Sequence, residues 1–145
     1  RYLDVGSFYA EVTARPSLCR GDDSYGVLVR ANAVAYYRFA LTCNGMVGAE
    51  RVRFNNRQIL QEPTLSGDAP IGAPGEVRIG VWAVGTELRL FLNGRFQFAV
   101  NDASFGNGTL GLFASSSGDT PVTVNFTDLI IQDVNYSLPT RTPLP

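Results

Sequence analysis

The sequence predicts an all-β fold in which two antiparallel sheets pack face to face. Three observations carry this. Apolar residues recur at every second position through most of the chain, as on strands with one buried face. No stretch holds a 3.6-residue apolar period for three helical turns. Turn-forming residues break the alternation at short intervals, the spacing of a sandwich or barrel. The chain has 145 residues, 45% hydrophobic and 17% charged. That suffices for one domain with its own core, and the composition is neither that of a disordered chain nor that of a membrane-spanning one. No apolar run approaches the roughly 20 residues of a bilayer-crossing helix.

The first strand is expected over Phe8–Ala14 and is stopped by Pro16. Ser17–Asp23 reads as a loop holding Cys19 and the turn formers Gly21, Asp22 and Asp23. Strands over Tyr25–Ala31 and Tyr36–Thr42 follow, joined by a turn at Asn32–Ala35. Asn44-Gly45 turns the chain into Val47–Phe54, and Asn55-Asn56 leads to a short strand, Gln58–Glu62. Pro63, Gly67, Pro70, Gly72, Pro74 and Gly75 mark residues 63 to 75 as one exposed loop.

Glu76–Val84 alternates most regularly, with Val77, Ile79, Val81 and Ala83 on one face and Arg78, Gly80, Trp82 and Val84 on the other. Leu88, Leu90 and Leu92 alternate up to Asn93-Gly94; Phe96, Phe98 and Val100 alternate after it. A strict two-residue turn would pair Leu90 with Gln97 and mix leucines with polar residues. A three-residue loop with Gly94 as a left-handed bulge pairs Leu90 with Phe96 and Leu88 with Phe98, and is the expected register. Asn101–Asn107 is a loop anchored by Phe105, Thr109–Ala114 a strand, Ser115–Asp119 a polar turn and Val122–Val134 the closing strand. The domain is thus expected over residues 1 to 134. Residues 135 to 145, with three prolines, read as a linker or tail that joins further domains of a longer protein.

Charge and residue usage narrow the chemistry. The net charge is −1 and no basic block occurs, so nucleic-acid binding is not expected. All 12 basic residues are Arg, which leaves neither His, the commonest general base and metal ligand, nor Lys for Schiff-base or P-loop chemistry. Cys19 and Cys43 flank the open end of the hairpin expected over residues 25 to 42. A disulfide there implies an oxidising compartment; the alternative is two buried thiols. The sequons at Asn107, Asn125 and Asn135 carry no information in a chain this rich in Asn and Thr.

Four stretches, in order, resemble a known family. They are Tyr25-Gly26-Val27-Leu28-Val29-Arg30-Ala31 running into Tyr36-Tyr37-Arg38-Phe39; Leu88-Arg89-Leu90-Phe91-Leu92-Asn93-Gly94; Asp102, Phe105 and Gly108 leading into Leu110-Gly111-Leu112; and Val124-Asn125-Phe126-Thr127-Asp128-Leu129. Over roughly residues 8 to 134 they resemble bacterial laminin-G-like domains of the concanavalin A-like lectin/glucanase superfamily. The resemblance implies a two-sheet antiparallel jelly-roll sandwich and a choice among lectins, glycosidases and binding modules, which the fold alone does not make. By position it also implies a structural calcium held by Asp4 and Asp128.

Glycosidase chemistry needs two carboxylates facing one bond. Glu11, Glu50, Glu76 and Glu87 are each isolated on their strands, and Asp22-Asp23 sits in a loop. A non-catalytic, extracytoplasmic module that binds a glycan or cell-surface ligand is therefore the expected function, with a structural or protein-interaction module as the alternative and a glycoside hydrolase as a remote one. The expected ligand residues lie out of phase with the core: Arg30, Tyr36, Arg38, Arg78, Trp82 and Arg89, joined by Phe91. Aromatic rings stack on sugars and guanidinium groups fix their hydroxyls.

Overall fold

The computed structural model describes residues 6–134. Among the described residues ten strands follow in order: β1 (Phe8–Leu18), β2 (Ser24–Ala31), β3 (Ala35–Thr42), β4 (Met46–Arg53), β5 (Asn56–Leu65), β6 (Val77–Val84), β7 (Glu87–Leu92), β8 (Arg95–Asn101), β9 (Thr109–Ser115) and β10 (Thr123–Asp133). They form two five-stranded sheets, β10-β1-β6-β7-β8 and β5-β4-β3-β2-β9, with every pairing antiparallel. No helix long and apolar enough to cross a membrane occurs among the described residues.

The alternation read from the sequence is what closes the sandwich. From the first sheet, Phe8, Val12, Val77, Ile79, Val81, Leu88, Leu90 and Leu92 point inward and are buried; from the second, Tyr25, Val27, Val29, Tyr37, Phe39 and Leu41 meet them. Phe39 and Phe98 stack across the interface at 6.1 Å between centroids. Each such aliphatic side chain contributes about 1.5–3 kcal/mol by leaving water. Phe105 anchors its loop, as expected, with its ring 4.9 Å from that of Tyr37.

Several local expectations are corrected. Pro16 does not stop β1, which continues to Leu18 opposite β10. Pairing with β6 ends at Ala14, so the side of Pro16 that lacks a donor meets no ladder. Pro63 likewise sits inside β5, which is longer than expected and is an edge strand where a missing N–H is tolerated. The β4–β5 turn is Phe54-Asn55, one residue earlier than expected.

The β7–β8 turn is the two-residue type, with Leu92 opposite Arg95 and positive φ at both Asn93 and Gly94. That geometry, with both central residues left-handed, matches the right-handed twist of the flanking strands. The phase change occurs instead inside the strand, where Gln97 is an extra residue. Leu90 thereby meets Phe98 and Leu88 meets Val100. The Gln97 side chain accepts from the Ser66 hydroxyl (2.6 Å) and donates to Asp68 (3.0 Å), which ties β8 to the crossing between the sheets.

Cys19 and Cys43 form a disulfide, so the thiol alternative is set aside. It joins the β1–β2 and β3–β4 loops at one rim of the second sheet. The neighbouring Cys43 N–H donates to the Asp23 carbonyl at 2.8 Å.

Candidate functional site

The outward face of the β5-β4-β3-β2-β9 sheet carries a cleft whose shape follows from register. Across the sheet, Phe113, Gly26, Ala40 and Gly48 lie opposite one another in turn. Ala40 and Gly48, with little or no side chain, form the floor of a trough at the β3–β4 part of this row. On one flank the adjacent row places Leu28, Arg38, Glu50 and Ile59 side by side; on the other lie Ser115, Ser24 and Thr42. The cleft holds about 310 Å³ and is bordered also by Asp22, Arg57 and Gln61.

One charged network organises its wall. Glu50 Oε1 accepts from Arg38 at 3.3 Å and from Arg57 at 3.1 Å. Arg38 also donates to the Ser24 hydroxyl at 2.7 Å, and its guanidinium lies 4.2 Å over the Phe113 ring. Burial works against the Arg38 charge and Glu50 works for it, with the balance holding its pKa below the usual value. The site therefore presents fixed N–H donors, a carboxylate acceptor and several hydroxyls over a floor low enough to admit a ring. Such a set can satisfy neighbouring hydroxyl groups of a polyol in a defined orientation.

The rim is set by Asp23. Its Oδ1 accepts from the Ser117 N–H (2.9 Å) and hydroxyl (3.0 Å), and Oδ2 from the Arg20 N–H (3.2 Å). The Ser117 amide leads in holding this carboxylate below the usual pKa. Glu11 is held low by the Tyr9 hydroxyl and by Arg78. At Asp102 burial pushes upward but is outweighed by the Tyr37 hydroxyl, Ser104 and Arg51. A carboxylate with a depressed folded pKa stabilises above its unfolded value near 4 and loses that contribution as pH falls through the folded value. Thermal stability is thus expected to hold from neutrality to about pH 5 and then to decline, with Asp102→Asn flattening the acid limb. A melting temperature level down to about pH 3 would contradict this.

The structure does not bring the six expected ligand residues together. Arg38 lines the cleft, and Tyr36 shares its face of β3. Arg78, Trp82 and Arg89 lie on the outward face of the other sheet, on the opposite side of the molecule. There Arg89 stacks 4.3 Å over Trp82 and pairs with Glu87 at 2.6 Å, and Arg78 binds Glu11 at 2.7 Å. Phe91 is on that face too, edge-on to Tyr9 and Phe96.

Arg30 is on neither face. It is 2% exposed and its guanidinium donates to the carbonyls of Gly6, Gly85 and Phe105. A shift in β2–β9 pairing between Leu28 and Ala31, with φ of 49° at Arg30, turns the side chain away from the sheet surface. Asp4 and the sequon at Asn135 lie outside the described residues. Asp128 occupies an irregularity of β10, where its carbonyl accepts from Arg78 at 2.7 Å. Among the described residues no group of three or more acidic or Cys side chains is placed to hold a metal.

No protein-family model and no curated protein matches the sequence. Solved structures do match in shape. The carbohydrate-binding module CBM66 of Bacillus subtilis superimposes with a TM-score of 0.74 at 15% identity, covering 90% of this chain and 78% of its own. Sheep galectin-11, solved with glycerol, gives 0.65 at 9% identity, covering 90% and 94%. The GH43 protein BlXynB of Bacillus licheniformis gives 0.67 at 13% identity, with 89% of this chain matching 28% of that one. The chain has the concanavalin A-like jelly-roll fold.

Within this jelly roll, Glu50 and Arg57 are the site residues that sequence reading missed. The signal was present in the β3–β4 hairpin. Counting its loop as three residues, Cys43 to Gly45, pairs Phe39 with Ala49 and Leu41 with Val47, and sets Glu50 against Arg38. Treating Glu50 as an isolated acid overlooked this cross-strand partner.

Proposed function

We propose that this chain is a non-catalytic glycan-binding module that works outside the cytoplasm as the accessory or sensor domain of a larger protein. The observation that carries the reading is the Arg38–Glu50–Arg57 network set beside a trough of Gly and Ala on an open sheet face. Charged hydrogen-bonding groups held by one another keep their geometry without a ligand, so little ordering entropy is lost on binding. The shape shared with the carbohydrate-binding module CBM66, and with galectins, supports the same reading. The disulfide suits an oxidising compartment.

Catalysis fits the cleft less well. Its two carboxylates, Asp22 and Glu50, sit on different elements, and Glu50 is engaged by two guanidinium groups. Retaining and inverting hydrolysis both need a carboxyl pair free to face one glycosidic bond.

A glycan array followed by titration tests the proposal. Arg38→Ala is expected to weaken binding at least about tenfold, because a partly buried charged hydrogen-bond donor is lost. Trp82→Ala, on the opposite sheet, is expected to leave affinity unchanged. An array with no hits, together with a concentration-dependent oligomer, would instead support a structural or protein-interaction module.

A further inference from the structure

We propose that the β4–β5 hairpin carries a second subsite, for a sugar bearing an anionic group, either a carboxylate or a sulfate. The proposal deepens the glycan-binding reading and rests on it.

The first observation is a turn that breaks a local rule. Phe54 and Asn55 form the two-residue connection between Arg53 and Asn56, with φ of 48° and 66°. A turn with both central residues left-handed suits Asn, Asp or Gly; a bulky aromatic there is strained. Phe54 gains little packing in return, since it is 72% exposed. The turn is nonetheless pinned, because the Phe54 N–H donates to the Val34 carbonyl at 2.8 Å. Strain retained without a packing gain points to a use outside the fold.

The second observation is what lies beside that ring. A cleft of about 440 Å³ is lined by Arg51, Arg53 and Arg57, with Ser104 and Gln58, and no acidic side chain borders it. Arg51 is committed to Asp102 at 2.5 Å and Arg57 to Glu50 at 3.1 Å. Arg53 has no carboxylate partner among the described residues. Its guanidinium is positioned instead by stacking 5.2 Å from the Phe105 ring centre, which leaves the N–H edge open. A planar fork of that kind takes a carboxylate or sulfate through two parallel hydrogen bonds. Phe54 supplies an apolar surface for the sugar ring. In a chain of net charge −1 this is a local excess of positive charge, not a general one. Arg57 borders both this cleft and the first, so the two subsites adjoin along one hairpin.

Calorimetric titration with three tetrasaccharides tests this: galacturonate, sulfated galactose and neutral galactose. At least one acidic tetramer is expected to bind about tenfold or more tightly than the neutral one, and the stronger of the two identifies the anionic group. Arg53→Met is expected to erase that preference while leaving intact the binding of a neutral array hit. Phe54→Asn is expected to weaken the acidic tetramer yet raise Tm by about 3 °C, since strain is relieved. The proposal is overturned if neither acidic tetramer exceeds the neutral one, or if Arg53→Met keeps the preference. Failure of the first-cleft reading looks different: Arg38→Ala would then leave neutral-glycan binding untouched.

Discussion

Replacing Arg30 by Met is expected to destabilise the fold by about 3 kcal/mol. The side chain is buried and its donors satisfy three carbonyls from three separate segments: Gly6 before β1, Gly85 in the β6–β7 turn and Phe105 after β8. Met matches the length of the stem, so the change removes the hydrogen bonds without opening a large void. Each carbonyl left without a donor away from water costs on the order of 1 kcal/mol or more. The Arg30 charge has no carboxylate partner among the described residues, and burial holds its pKa below the usual value. Desolvation offsets part of what the three bonds contribute, which keeps the expected loss below that of a broken buried ion pair with its partner left behind. Urea unfolding measures it, and a loss under about 1 kcal/mol would show that water reaches these carbonyls.

Breaking the disulfide by a paired Cys19→Ser and Cys43→Ser change is expected to cost about 3 kcal/mol. The two residues are 24 apart in sequence, and closing a loop of that length restricts the unfolded chain by about this amount. Both positions are buried, so two serine hydroxyls would add a further penalty. The bond also ties the loop holding Asp22 and Asp23 to the β3–β4 loop, at the rim of the first cleft. Weaker glycan binding should therefore accompany the loss. Unchanged stability under a reductant that demonstrably opens the bond would contradict the estimate.

The core was legible because burial leaves its mark on every second residue. The faces of Val77–Val84 and Leu88–Leu92 could be assigned from alternation alone. The disulfide was legible because a hairpin fixes which loops share an end. Phase, however, says only that a residue is off the core side; it does not say which sheet the strand joins. Arg38 and Trp82 are both out of phase, yet they face opposite sides of the molecule because their strands lie in different sheets. Arg30 shows a second limit, since one irregular residue moves a side chain that alternation places on the surface into the interior. Gln97 shows a third: a bulge can correct phase several residues away from the turn that seemed to demand it.

Ligand is expected to meet the face built on β2, β3 and β4. Trp82 is the only Trp in the chain, so its indole N–H gives a single NMR signal reporting on the opposite face. In a two-dimensional titration with a glycan found on the array, shifts are expected at Ser24, Ala40, Gly48 and the Arg38 side chain while the indole signal stays still. A moving indole, with those four unperturbed, would contradict it.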